Sequence, residues 1–415
     1  MPLPIHVLPL AERWDCHQCG VCCRGSLVPL SEEDLARLKA QGWEQHPDFR
    51  GQPVVVRQAL MGHAWRLAHR PDGSCVFLLP DGLCRIHKEL GFDAKPLVCR
   101  MFPLQVIPRD RAAVLTLRRA CPSAAADRGR PLDAQLDVAR TLARERKLAE
   151  APPTPPPLKP GERPSWPRTR RVLECFQALL TDPRYPPIRR LVHALTVCRL
   201  LQQAKTRRLD DAALGELLSV LAQAAPDESA EWFAQRQAPT AAAQLLFRQT
   251  AAEWVRLYPG MPVTPSWFQR WQLVWAAWRF VRGRGNLPRL IPDLPPARFE
   301  QLQQPLGLLP PEVYAPLNRF LETSAASWSY ALANRNGWSL IESLRMLALS
   351  YPVGLWLLRW VAVGRSPQPA DLPPIITALD RGQGYGPLAG RKQRWRLAVL
   401  AQGGQLERLV VWYGR

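Results

Sequence analysis

From residue 168 to the C-terminus, apolar residues recur at intervals of three and four. RRVLECFQALL (170–180), IRRLVHALTVCRLLQQ (188–203) and AALGELLSVLAQ (212–223) each carry such a stripe, which marks helices that bury one face. SWFQRWQLVWAAWRFV (266–281) sets Trp267, Trp271, Trp275 and Trp278 near one face. That spacing predicts an aromatic helix packed into a core, with a ligand or peptide groove as the alternative. Met346 to Val363 is the longest apolar run, and it contains Pro352 and Arg359. Its uncharged part stops at Leu358, short of the ~20 residues of a spanning helix, so a buried core helix is expected and no membrane span. RWRLAVLAQGGQLERLVVWYGR reads as a hairpin turning at Gly403-Gly404.

The first third has a different rhythm. LSEEDLARLKAQG (30–42) predicts a helix capped by Ser31, with acids in its first turn and Gly42 at its end. PVVVR (53–57) and AWRLAH (64–69) are short alternating stretches that predict strands. CVFLL and CRIH flank a turn at Pro80-Asp81-Gly82. LQVIP, a polar RDR tip and AAVLTLRR predict a hairpin over 104–119. The expected architecture is therefore a small α+β cysteine-rich metal-binding domain over 1–125, followed by a mostly α-helical domain over 168–415. Between them, across 126–167, come a charged helical stretch (131–150) and APPTPPPLKPGERPSWP (151–167), a proline-rich segment that predicts a stiff, extended linker.

Composition adds a compartment and removes a partner. The N-terminal MPLPIHVLPLAERWD lacks a basic leader and is broken by Pro2, Pro4 and Pro9, so it does not read as a signal peptide and a cytoplasmic setting is expected. There, clustered thiols point to metal or redox chemistry rather than disulfides. The net charge is +20, which suggests nucleic acid, but Lys appears only at 39, 88, 95, 147, 159, 205 and 392. Arg, Ala and Pro rise together, as a GC-rich genome would produce, and no nucleic-acid motif accompanies the charge, so nucleic acid is disfavoured as a partner. A protein substrate remains open.

Ten cysteines occur in 415 residues, and eight precede residue 125. CHQCGVCC places Cys16, Cys19, Cys22 and Cys23 in eight positions; Cys75, Cys84, Cys99 and Cys121 follow, with His87 three residues after Cys84 as a further candidate. Cys175 and Cys198 sit on apolar helical faces and read as core residues. Eight thiols exceed the four ligands of one zinc. The C-x2-C-x2-C triplet with a remote Cys-Pro resembles a ferredoxin run, which favours an iron–sulfur cluster over zinc. In an extended chain Cys22 and Cys23 would point apart, and either serve two sites or leave one as a ligand with its neighbour packed. Arg24, Arg85 and Arg100 each follow a cysteine and either offset thiolate charge or stand in solvent.

CHQCGVCC, DGLCRIH and KPLVCRMFP, in this order, resemble the YkgJ-type cysteine-cluster family, the zinc- or iron-chelating CxxCxxCC domain. The resemblance covers about residues 14–123 and implies metal binding through Cys16, Cys19, Cys22, Cys23, Cys75, Cys84, Cys99 and Cys121. More distantly the chain resembles flagellin lysine-N-methylase, which implies an iron–sulfur cluster and S-adenosylmethionine, although the cysteine spacing here is the tighter form. RGQGYGPLAG (381–390) is glycine-rich but follows no clear strand, so it reads as a loop rather than a cofactor turn. H-E-x-x-H, G-x-S-x-G, the phosphate loop and the radical-enzyme C-x3-C-x2-C are all absent from the sequence. Whether the protein is an enzyme stays open, with metal binding as the expected biochemical property.

Overall fold

Among the described residues, six short strands form two small sheets, all before residue 118. The computed structural model describes residues 2–24, 26–57, 65–259, 267–291, 293–307, 309–333, 337–383 and 390–415; His63 and most of the 381–390 glycine-rich stretch lie outside these. In the first sheet β1 (Ile5–Val7) pairs in parallel with β6 (Ala113–Leu117), which pairs antiparallel with β5 (Leu104–Pro108). The second has the order β2 (Pro29–Leu30), β4 (Trp65–Leu67), β3 (Val55–Arg57), all antiparallel. The hairpin of β5 and β6 closes at the expected polar tip, where the Arg109 amide donates to the Ala112 carbonyl at 2.8 Å. All five positions of β6 are buried, because a small core covers one face and the helix Pro311–Ser327 packs on the other.

The helix over Glu32–Ala40 forms as its sequence dictates. Ser31 accepts the Asp34 amide at 3.1 Å, and Gly42 takes a left-handed φ of 69° beyond its end. Beyond residue 165 the chain is helical. Its largest core gathers Phe176, Phe247, Trp254, Trp356 and Trp360 among leucines and valines. The central helix Leu340–Val361 carries the expected buried apolar run. Among the described residues, no helix is long and apolar enough to cross a membrane. The proline-rich strap touches this helix: Leu158 is buried, and the carbonyls of Pro157 and Leu158 accept the amides of Leu340 and Ile341.

Two expectations fail. The C-terminal stretch is not a hairpin but two helices, Arg391–Leu400 and Gln405–Tyr413, hinged at Gly403 and Gly404. Leu406, Leu409, Val410 and Tyr413 are all buried, a helical spacing that outweighs the Gly-Gly signal. Gly404 is required for another reason: a β-carbon there would stand 2.2 Å from the Trp232 ring. The tryptophan helix, Trp267–Arg282, is seated by Ala276 and Phe280, so its four tryptophans face outward instead of into the core.

Arg359 closes the helical part. It is buried, and its guanidinium donates to the carbonyls of Gln304 (2.7 Å), Leu355, Tyr413 and Arg415 (3.0 Å each). Burial lowers its pKa to about 10, still far above neutrality. Replacing it with Met keeps the volume and removes the donors. Arg359→Met should lower unfolding stability by about 3–5 kcal/mol, read from denaturant midpoints followed by circular dichroism.

Candidate metal centre

Three stretches of chain carry the thiols, and backbone contacts bring them together. After Gly20, whose φ is 66°, a single 3-10 turn over Val21–Cys23 presents Cys22 and Cys23. The Cys23 carbonyl accepts the Cys75 amide at 2.7 Å, which joins the first cluster to the second stretch. Arg70 holds that stretch by donating to the carbonyls of Val76 and Leu78, each at 2.8 Å. The chain then turns at Gly82, as expected from its sequence, and Cys84 caps the helix Arg85–Leu90. Gly82 has a φ of 84°, and a β-carbon on it would stand 2.2 Å from the Gln18 carbonyl oxygen. Only glycine lets the cysteine loop lie so close to this turn.

The third stretch is placed from two sides. Buried Asp34 accepts the Leu97 amide at 2.9 Å, starting the helix Leu97–Met101 that carries Cys99. Gln41 and Arg37 hold the carbonyls of Ala94 and Lys95 beside it. Cys121 precedes the helix Pro122–Ala125, with Pro122 at the first turn where a missing N–H costs nothing. From the helical part, the Asp380 carboxylate accepts the Ala120 amide and the Arg118 Nε, both at 2.9 Å. Its neighbour Arg381 reaches the Val21 carbonyl at 3.4 Å.

The thiols sense one another through a medium that disfavours charge. Burial raises Cys75 and Cys121 to about 11, and raises Cys99 further. Cys22 is raised by its hydrogen bond to Cys23 and then by burial. Charge on Cys84 and Cys22 pushes Cys75 and Cys99 up, and charge on Cys22 does the same to Cys121. In space, Cys75 belongs to a small core against which Cys23, Cys84 and Cys99 pack, Cys22 adjoins Cys23, and Cys121 belongs to the core around β5 and β6. Cys16 and Cys19 lie on the exposed loop, which Asp15 anchors to Arg130. Among the described residues, no three His, Cys, Asp or Glu side chains stand in a metal-coordinating arrangement.

The structure corrects the charge and geometry read from sequence. Arg24 pairs with Asp72, Arg85 with Asp48 and Glu89, and Arg100 with Glu145. The cations that act on the thiols are Arg70 on Cys75, Lys95 on Cys22 and Cys99, and Arg381 beside Cys22 and Cys121. Arg70 and Lys95 are local to Cys75 and Cys99 in sequence, whereas Lys95 meets Cys22, and Arg381 meets Cys22 and Cys121, only through tertiary contact. The adjacent pair is not extended: in its 3-10 turn the Cys22 and Cys23 sulfurs are 3.9 Å apart. Two ligands of one tetrahedral zinc stand about 3.8 Å apart for Zn–S of ~2.3 Å, so adjacency does not separate them onto different metals. The His87 ring packs edge-on against Phe92, and burial lowers its pKa. Cys198 is a core residue as expected, whereas Cys175 is half-buried on a cavity of 530 Å³ far along the chain.

The donor chemistry fits a soft metal. Neutral buried thiols with nearby cations become thiolates when a metal replaces their protons. The Gly82 contact gives a direct test of the scaffold. Gly82→Ala should destabilise the chain by about 1–3 kcal/mol more than Gly51→Ala, whose φ is 73° but whose β-carbon would meet nothing. Equal urea midpoints for the two variants would show that the contact does not matter.

Residues 15–122 match the family model described as "CxxCxxCC: Putative zinc- or iron-chelating domain". An uncharacterized protein of Methanocaldococcus jannaschii is 29% identical over 127 residues, 29% of this chain. The chain spans 40% of that relative's length. No solved structure matches the chain. The flagellin methylase resemblance finds no counterpart in these matches. The thiols around the 3-10 turn at Cys22, the Gly82 turn and the Cys99 and Cys121 helices thus lie in the segment, residues 15–122, that matches the model of the CxxCxxCC zinc- or iron-chelating domain.

Proposed function

We propose that residues 1–125 bind a thiolate-ligated metal centre, an iron–sulfur cluster in preference to zinc, and that this centre fastens the cysteine-rich part against the helices. The supporting observation is that Cys23, Cys84 and Cys99 pack against the small core that contains Cys75, with Cys22 against Cys23, Cys75 and Cys121 buried, the others half-buried, and Arg70, Lys95 and Arg381 as the nearby cations. Cys23 adjoins them, and Cys16 and Cys19 stand on the loop at their edge. An iron–sulfur cluster would supply one-electron chemistry or a rigid node, and it takes thiolate ligands in numbers that this set can meet. Excess thiolate charge explains why three cations surround the group. A two-zinc reading draws on one observation, the 3.9 Å between the Cys22 and Cys23 sulfurs.

One experiment separates the two. Protein prepared without oxygen should be brown and contain iron and acid-labile sulfide. Cys22→Ser and Cys99→Ser should bleach it, and Cys175→Ser should not. Colourless protein with stoichiometric zinc under the same conditions would give the centre to zinc; protein with neither metal would end the proposal.

Metal removal supplies a second test. Only small cores stabilise the first part, one around Trp43, Phe49 and Phe77 and one around β5 and β6. Chelation should therefore unfold much of residues 1–125 and leave the helical core standing. Proteolysis with and without chelator would show this as a protected fragment starting near residue 165. Unchanged digestion would mean that ordinary packing suffices there.

A further inference from the structure

The tryptophan helix is apolar on two opposite sides. Ala276 and Phe280 seat one side, at 2% and 1% exposure. On the other stand Trp267 (73% exposed), Trp271 (60%), Val274 (62%), Trp275 (53%), Trp278 (52%) and Val281 (44%). At about 100° per residue these six fall within an arc of about 120°, opposite the seated side. Eleven large apolar side chains are exposed among the described residues, and six of them are here. The patch they form is on the order of 600 Å², at the upper end of what monomers leave uncovered.

Charge decides between the possible occupants. From Trp267 to Arg282 the sequence contains Arg270, Arg279 and Arg282 and no Asp or Glu, and Arg284 and Arg289 follow. Arg279 lies over the Trp275 ring at 5.3 Å and Arg282 over Trp278 at 5.5 Å. A second copy of the helix would set arginines against arginines with no acid between them. Nucleic acid would need a groove in which bases stack, whereas this face is a convex helix that also carries two valines. Trp and Arg side by side on one face suit the boundary of a lipid bilayer, where indoles sit at headgroup depth and guanidiniums meet phosphates.

We propose that the helix Trp267–Arg282 is a peripheral docking surface for an anionic membrane, lying in the plane of the headgroups. It needs no spanning segment and does not depend on the metal centre.

The full chain should co-sediment with vesicles of phosphatidylglycerol and phosphatidylcholine but not of phosphatidylcholine alone. Tryptophan emission should shift to the blue on binding, and added salt should weaken the binding. Trp271→Ser/Trp275→Ser/Trp278→Ser should abolish binding. Arg279→Gln/Arg282→Gln should weaken it by about five-fold per arginine and flatten the salt dependence. The replaced tryptophans are exposed, so melting curves should match the parent; if the triple variant fails to fold, the arginine pair decides alone. The proposal is overturned if the parent chain ignores anionic vesicles, or if the variants bind as it does. It is equally overturned if the parent is a dimer that the triple variant dissolves, or if a single-stranded oligonucleotide binds and vesicles do not.

Discussion

A carboxylate removed from water must find donors or be protonated, and the way Asp380 meets that demand organises the junction of the molecule. It is buried, it takes the Arg118 guanidinium and the Ala120 amide, and so it fixes the turn that leads into Cys121. Arg381, next on the same helix, reaches the turn that bears Cys22. Two successive residues of the helical part therefore hold the first and last cysteine segments together. The cysteine-rich part does not stand beside the helices as a separate bead, because its geometry is partly theirs.

A second run of charge does similar work beneath it. Buried Glu12 accepts from Arg119 at 2.9 Å and from the Thr116 hydroxyl at 3.0 Å. Arg119 also holds Asp127 at 2.6 Å, and Asp127 takes Arg319 from the helical part at 2.7 Å. Burial pushes Glu12 up, while Arg119 and Thr116 pull it back. Such a chain of charges contributes less to net stability than to fixing one arrangement, since any slip would leave a buried charge unpaired. At the hairpin tip, Arg109 stacks 3.8 Å from the Trp328 ring and donates to the Ala326 carbonyl, so the seam extends along β5 and β6. Thiols drawn from segments about a hundred residues apart are held in place by a frame this firmly registered.

Local signals proved legible where one interaction decided the outcome. Ser31 capped its helix, the Asp81-Gly82 turn formed, and the RDR tip closed its hairpin, because each depends on residues within four positions. The buried run from Met346 onward, inside the helix Leu340–Val361, was readable from hydropathy alone. The Gly403-Gly404 signal misled because a glycine pair can break a helix as well as turn a hairpin, and burial of the flanking stripe chose the former. The adjacent cysteines misled for a related reason: an extended chain was assumed where a 3-10 turn forms. The tryptophan stripe was visible as a stripe, but spacing alone does not say which side of a helix meets the core.

What the sequence determined by itself was the division into a strand-containing cysteine-rich beginning and a helical remainder, together with the thiol set that marks the CxxCxxCC domain. Hydrophobic period and cysteine spacing are properties of short windows, and they survive whatever the rest of the chain does. Only the tertiary structure decided which cations face the thiols, that Gly82 admits the Gln18 loop, that Asp380 and Arg381 reach across from the far end of the chain, and that Trp271 and Trp275 face outward. Most of these join residues far apart in sequence, and all depend on burial and distance, which no local pattern encodes.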